Sequence, residues 1–183
     1  MKHYFKNFFF GTIVIHFFLL LISCSGELSD PKKTSKIFPG FEYSKAVAYD
    51  YDGSEKGDLI IEKGKIHHSV KKQVVLNKKQ IDELSAILND SSSYGGDVSR
   101  CFKPHLGIVF YDAKEKAKAQ VSICFLCNQH NAFPLITAQE NIRNNSPSKL
   151  HGYSKKGRKK LMSFCESLGF SNCNSDEKTT EDK

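Results

Sequence analysis

The stretch "HLGIVFYDAKEKAKAQVSICF", residues 105–125, decides the fold. Branched and aromatic residues crowd its two ends, and the polar AKEK at 113–116 divides them, which is the signal of a β-hairpin. In a half-buried strand, apolar and polar residues alternate because successive side chains point to opposite faces. Here Leu106, Ile108 and Phe110 would share one face while Val109 and Tyr111 take the other. A hairpin that is apolar on both faces belongs at the centre of a sheet.

Working outward, AVAYDY (46–51), DLIIE (58–62) and KIHHSV (65–70) are short β-rich runs divided by DGSEKG and KG. They read as a meander, with residues 74–76 extending its last strand. Asn77, with Gln80 three residues on, forms a capping box, and Ile81, Leu84, Ile87 and Leu88 make one apolar stripe, so a helix is expected over 78–89. A polar loop (91–100) precedes the hairpin, and a long loop (128–153) follows it. A second helix is expected after Ser154, with Leu161, Phe164, Cys165 and Leu168 inward and Gly169 past its end. Hairpins followed by helices, twice over, predict an α+β fold: an antiparallel sheet built from a meander and a central hairpin, covered by two helices on one face.

The hairpin also places the thiols of ICFLC. With the turn at Lys114, facing residues have numbers that sum to about 228, so Cys127 lies opposite Cys101 and Cys124 is one step away. His105 reaches the same end. Cys101, His105, Cys124 and Cys127 therefore supply the ligand types and CxxC spacing of a Cys3His zinc site, or a site for a soft ion such as copper(I). The competing reading is a disulfide from Cys101 to Cys124 or Cys127, which would close a loop of about 25 residues and stabilise the domain by about 3 kcal/mol. Cys165 and Cys173, eight apart, could pair around Gly169.

Thiol–disulfide exchange is a distant third reading. A reactive CxxC draws its low thiol pKa from a helix N-terminus, whereas Cys124 ends an apolar strand. Covalent haem is excluded because Asn128, not His, follows Cys127. His130, His67 and His68 could serve some other metal but read more simply as solvated side chains.

Location is read from the N-terminus. Lys2, His3 and Lys6 precede an apolar run over 8–22 that is short for a membrane span and reads as a secretory signal. Leu21-Ile22-Ser23-Cys24 resembles the lipobox of bacterial lipoproteins, and that resemblance implies cleavage before Cys24 and attachment of a lipid to its sulfur. Ser25 is not the Asp that retains such proteins in the inner membrane, which favours the outer membrane. The expected organisation is a signal peptide (1–23), the lipidated Cys24 with a flexible tether (24–36), one α+β domain (37–173) and a disordered tail (174–183).

Removing Lys2 and Lys6 from 27 basic residues leaves 25 against 20 acidic ones, a mature net charge of about +5. Export favours disulfides over free thiols and excludes nucleic acid as a partner. One basic cluster stands out: SKKGRKK (154–160) puts Lys155, Lys156, Arg158, Lys159 and Lys160 at the start of a predicted helix, where the dipole disfavours positive charge. Either the helix begins later, near Gly157, or the cluster meets an anionic lipid or polyanion; a merely solvated lysine-rich face is the plain alternative.

No GxSxG elbow, HExxH, phosphate-cradling glycine loop or telling pair of acids occurs, so no catalytic residue is assigned. CFKPHLGIVFYDAKEKAKAQVSICFLCN (101–128), preceded by a helix and YGG, resembles a segment of small bacterial lipoproteins that have no assigned activity. The resemblance implies only that the Cys-x2-Pro-His and Cys-x2-Cys elements belong together. The sequence thus predicts a lipid-anchored, non-catalytic binding or structural envelope protein with a disulfide-stapled core, and a metal-binding lipoprotein as the alternative.

Overall fold

The computed structural model describes residues 37–54, 59–145 and 151–173. The signal peptide, Cys24 with its tether, and the tail expected from the sequence lie outside the described residues. The elements follow in the order β1 (Lys45–Asp50), β2 (Ile61–Glu62), β3 (Lys65–Ile66), β4 (Lys72–Val75), α1 (Lys78–Leu88), a 3-10 turn (Ser91–Ser93), β5 (Tyr94–Gly96), β6 (Leu106–Tyr111), β7 (Ala117–Cys124), β8 (Gln129–Phe133), α2 (Thr137–Asn145), β9 (Gly152–Tyr153) and α3 (Lys155–Ser167).

The fold is α+β, on a five-stranded antiparallel sheet of order β4-β1-β6-β7-β8. The β6–β7 hairpin holds its centre. Leu106 faces Ile123 and Phe110 faces Ala119, a sum of 229, and a bulge shifts Tyr111 onto Ala117. At the tip, Asp112 Oδ1 accepts from the amides of Lys114 (2.9 Å) and Lys116 (3.0 Å), and Glu115 takes a left-handed conformation to close the turn.

Strand alternation divides the core in two. Ala46, Ala48, Leu106, Ile108, Phe110, Val121 and Ile123 face a layer made by Leu84, Ile87 and Leu88 of α1 with Leu161 and Phe164 of α3. Each fully buried Leu, Ile, Val or Phe side chain among them contributes about 1.5–3 kcal/mol relative to an exposed one. Val47, Tyr49, Val109 and Tyr111 point the other way and pack with Tyr51 and Ile60.

The expected meander is where the structure differs. β1 pairs with β4 on one side and β6 on the other, while β2 and β3 leave the sheet and form a separate two-stranded piece. This piece covers the second face. The amide of Ile60 donates to Ser122 Oγ (2.9 Å), and the Gln120 side chain takes the Ile61 amide (2.8 Å) and donates to its carbonyl (2.9 Å). A Cβ on Gly107 would lie 2.6 Å from that of Ile60, so glycine is needed for the close approach. The physical reason is that a sheet apolar on both faces needs two covers, and the helices supply one.

The expected long loop over 128–153 also holds structure, namely β8, α2 and β9. β8 is polar, and α2 buries only Ala138, so neither left an apolar period to read. Among the described residues α2 thus adds a third helix to the two that cover the sheet. Both helices expected from the sequence occur with the caps assigned: Asn77 Oδ1 accepts from Gln80 N while Gln80 Oε1 accepts from Asn77 N, each at 2.9 Å, and Ser154 Oγ accepts from Gly157 N at 3.1 Å.

α3 is seated on the 3-10 turn. Ser154 donates its amide to Ser93 O and its hydroxyl to Ser92 O, both at 2.8 Å, and a Cβ on Gly157 would lie 2.3 Å from Ser93 O. Alanine suits a helix interior better than glycine by about 1 kcal/mol, yet Gly157→Ala should destabilise the protein by about 1–3 kcal/mol through overpacking. The measurement is urea unfolding, with a lower midpoint at unchanged slope; an unchanged or higher midpoint would show that the helix is not held against the turn.

Candidate functional site

At the open end of the central hairpin, Cys101 and Cys127 form a disulfide with Cα atoms 5.6 Å apart. Gln129 Nε2 donates to the carbonyl of Cys101 (3.0 Å) and also to that of Ser99, and Ser99 N donates to Cys127 O (3.0 Å). Residues 125–128 make a tight turn in which Asn128, a residue that tolerates the left-handed region, has φ 53°. That turn carries Cys127 over to Cys101. Cys124, still on β7, is left on the sheet face shared with Ser122.

Cys124 is a free thiol with no exposed surface. Its sulfur accepts weakly from the amides of Cys127 (3.3 Å) and Lys103 (3.4 Å). A reactive thiol needs access to its partner; Cys124 is instead packed as a small apolar side chain. His105 sits nearby with Nδ1 3.1 Å from the carbonyl oxygen of Tyr51. The Cys3His set is thus not assembled: two of its sulfurs are bonded to each other. Among the described residues no three His, Cys, Asp or Glu side chains are arranged to hold a metal ion.

Cys165 and Cys173 form the second disulfide, also with 5.6 Å between Cα atoms, around Gly169, whose φ is 68°. Beside it the buried carboxylate of Asp50 accepts from the amide (3.0 Å) and hydroxyl (2.9 Å) of Ser171. The end of β1 is thereby tied to the segment after α3.

The histidines divide. His67 and His68 stack at 4.7 Å, with His67 Nδ1 2.8 Å from Ser69 Oγ. His130, expected to be solvated, lies on β8 against Tyr153 (ring centroids 5.1 Å apart) and Tyr94 (5.9 Å). Burial pushes its pKa down to about 4, against the opposing effect of a hydrogen bond with Gln139. The misreading arose because β8 itself was not legible.

The basic cluster occupies the first turns of the last helix. α3 starts at Lys155, not near Gly157, and its first turn holds no acid. Cations in a first turn cost about 0.3–1 kcal/mol each at low ionic strength. Lys156, Lys159 and Lys160 line a groove of about 400 Å³ between α1 and α3. Lys155 is exposed but does not line this groove, and Arg158 is half-buried.

These features define a class: a small α+β domain with helices on one face of an antiparallel sheet, stapled by two disulfides. Comparison with protein-family models, curated proteins and solved structures finds no match to this chain. Among the described residues no helix is long and apolar enough to cross a membrane.

Two outcomes are expected. Replacing Cys101 and Cys127 together by serine should lower unfolding free energy by about 3 kcal/mol in urea, while excess chelator leaves the wild-type midpoint in place and Cys124 reacts with iodoacetamide only after unfolding. His130 should make stability fall as pH drops from about 6.5 to about 4, because over that window the unfolded chain binds a proton that the folded one refuses. The slope is at most about 1.4 kcal/mol per pH unit, and His130→Gln should flatten it.

Proposed function

We propose that the chain is a lipid-anchored bacterial cell-envelope protein with a non-catalytic binding or structural role, held to the outer membrane through lipid on Cys24. The observation that carries this reading is the coincidence of two signals. Leu21-Ile22-Ser23-Cys24 has the form of a lipobox behind a basic and apolar leader, and the domain that follows is built with two disulfides. Disulfides form and persist in oxidising compartments. A signal for export and a core that depends on export for its covalent bonds support each other.

The arrangement of the sulfurs supports the structural part of the reading. Of the six cysteines, four are in disulfides and Cys124 is buried in the domain, which leaves Cys24 for the anchor.

The test is metabolic labelling of bacteria producing the full chain with radiolabelled palmitate. Wild type should be labelled and float with the outer-membrane fraction, and Cys24→Ala should lose the label and keep its leader. Ser25→Asp should shift the labelled protein to the inner membrane. A wild-type chain that is cleaved yet unlabelled would make the leader an ordinary secretory signal and end the lipoprotein reading.

A further inference from the structure

The groove between α1 and α3 has an apolar floor of Ala86 and Ile87, with Ser163 and Glu83 at its sides. Three ammonium groups, of Lys156, Lys159 and Lys160, stand over that floor. None of them is in a salt bridge among the described residues. The nearby carboxylate of Asp90 is held below the usual carboxylate range first by hydrogen bonds from Ser92 and then by the fields of Lys160 and Lys156. Asp90 is itself engaged: it accepts from Ser92 N (2.9 Å) and Ser92 Oγ (2.7 Å). Of the residues that line the groove, three lysines stand against one acid, Glu83.

The same groove lies where the chain enters the domain. Phe38 donates its amide to Asn89 Oδ1 (2.6 Å) and accepts from Asn89 Nδ2 (3.1 Å), so the first described residues are pinned to the C-terminal end of α1. Twelve residues separate Cys24 from Ile37. Even fully extended, that stretch reaches at most about 45 Å. A lipid on Cys24 would therefore hold the domain within about 45 Å of the bilayer.

We propose that the α1/α3 groove docks on the membrane by taking an anionic phospholipid, its phosphate among Lys156, Lys159 and Lys160 and its first acyl carbons over Ala86 and Ile87. This rests on the lipid-anchored reading for the membrane's proximity, and it goes further by naming the contact surface and its ligand. The apolar floor decides between polyanions: a soluble polysaccharide would use the charges and leave the floor wet, whereas a phosphodiester lipid uses both. Basic residues near an anionic surface are attracted within a Debye length, about 8 Å at physiological salt.

The test is lysine footprinting of the full acylated protein in vesicles of phosphatidylcholine alone or mixed with phosphatidylglycerol, with acetylation by an N-hydroxysuccinimide ester read by mass spectrometry. In the anionic vesicles labelling of Lys156, Lys159 and Lys160 should fall about fivefold, recover at high salt, and leave the exposed Lys63 and Lys65 unchanged. Lys156→Glu combined with Lys160→Glu should abolish protection of Lys159. Ala86→Gln, which fills the slot, should weaken protection with all charges kept. Equal labelling in the two vesicles overturns the proposal, as does uniform protection of all lysines or protection by inorganic phosphate without vesicles. A protein that fails to float with either vesicle defeats the anchor reading instead, and unacylated chain mixed with the anionic vesicles then gives the same footprint if the groove is right.

Discussion

The β6–β7 hairpin cannot be stable with either face in water, and the rest of the domain answers that constraint. Val109 and Ile108 are neighbours on one strand, point to opposite faces, and are both fully buried. α1 and α3 cover one face. The other is closed by a short β2–β3 piece that makes no strand pairing with the sheet and is held by Ser122 and Gln120, two polar side chains pointing outward from β7. Those hydrogen bonds satisfy backbone groups that would otherwise be buried unpaired, a loss worth about 1–3 kcal/mol apiece. The cover is small because Gly107 lets Ile60 come close.

The two disulfides stand at the ends of this arrangement rather than in its middle. One joins the segment before β6 to the turn after β7, holding the mouth of the hairpin. The other ties the end of α3 to the chain that follows it, beside the Asp50–Ser171 hydrogen bonds that reach β1. A domain of this size buries only about two thirds of its unfolded surface, so covalent closure adds to a core of limited extent. Cys124 remains a free thiol, buried in the domain.

The helix layer sets the domain's electrical face. α3 must sit on the 3-10 turn for Gly157 and Ser154 to make their contacts, and this puts its cationic first turns beside α1. Ser154 and the turn's carbonyls satisfy the helix start, so the cations need not be compensated locally for the helix to form. They are left projecting over an apolar slot. The chain's entry point at Asn89 lies on the same helix that forms the other wall.

Much of this was legible in the sequence. The period-two pattern of the hairpin, the capping box at Asn77 and the Ser154 cap were local properties, and they identified the central strands and both long helices. Counting from the turn placed the register within one residue, and the bulge beside Tyr111 supplied the difference, from a sum of about 228 to 229. What the sequence left open was which of Cys124 and Cys127 bonds Cys101, and the turn at Asn128 decided that by carrying Cys127 out of the strand. Tertiary structure alone also moved β2 and β3 off the sheet, made β4 the neighbour of β1, and formed β8, α2 and the enclosed site of His130 within a stretch that has no apolar period. It also set Lys156, Lys159 and Lys160 along the groove beside α1. The reason is common to all of these: each depends on what covers a surface from a distance along the chain, and residue spacing carries no record of that partner.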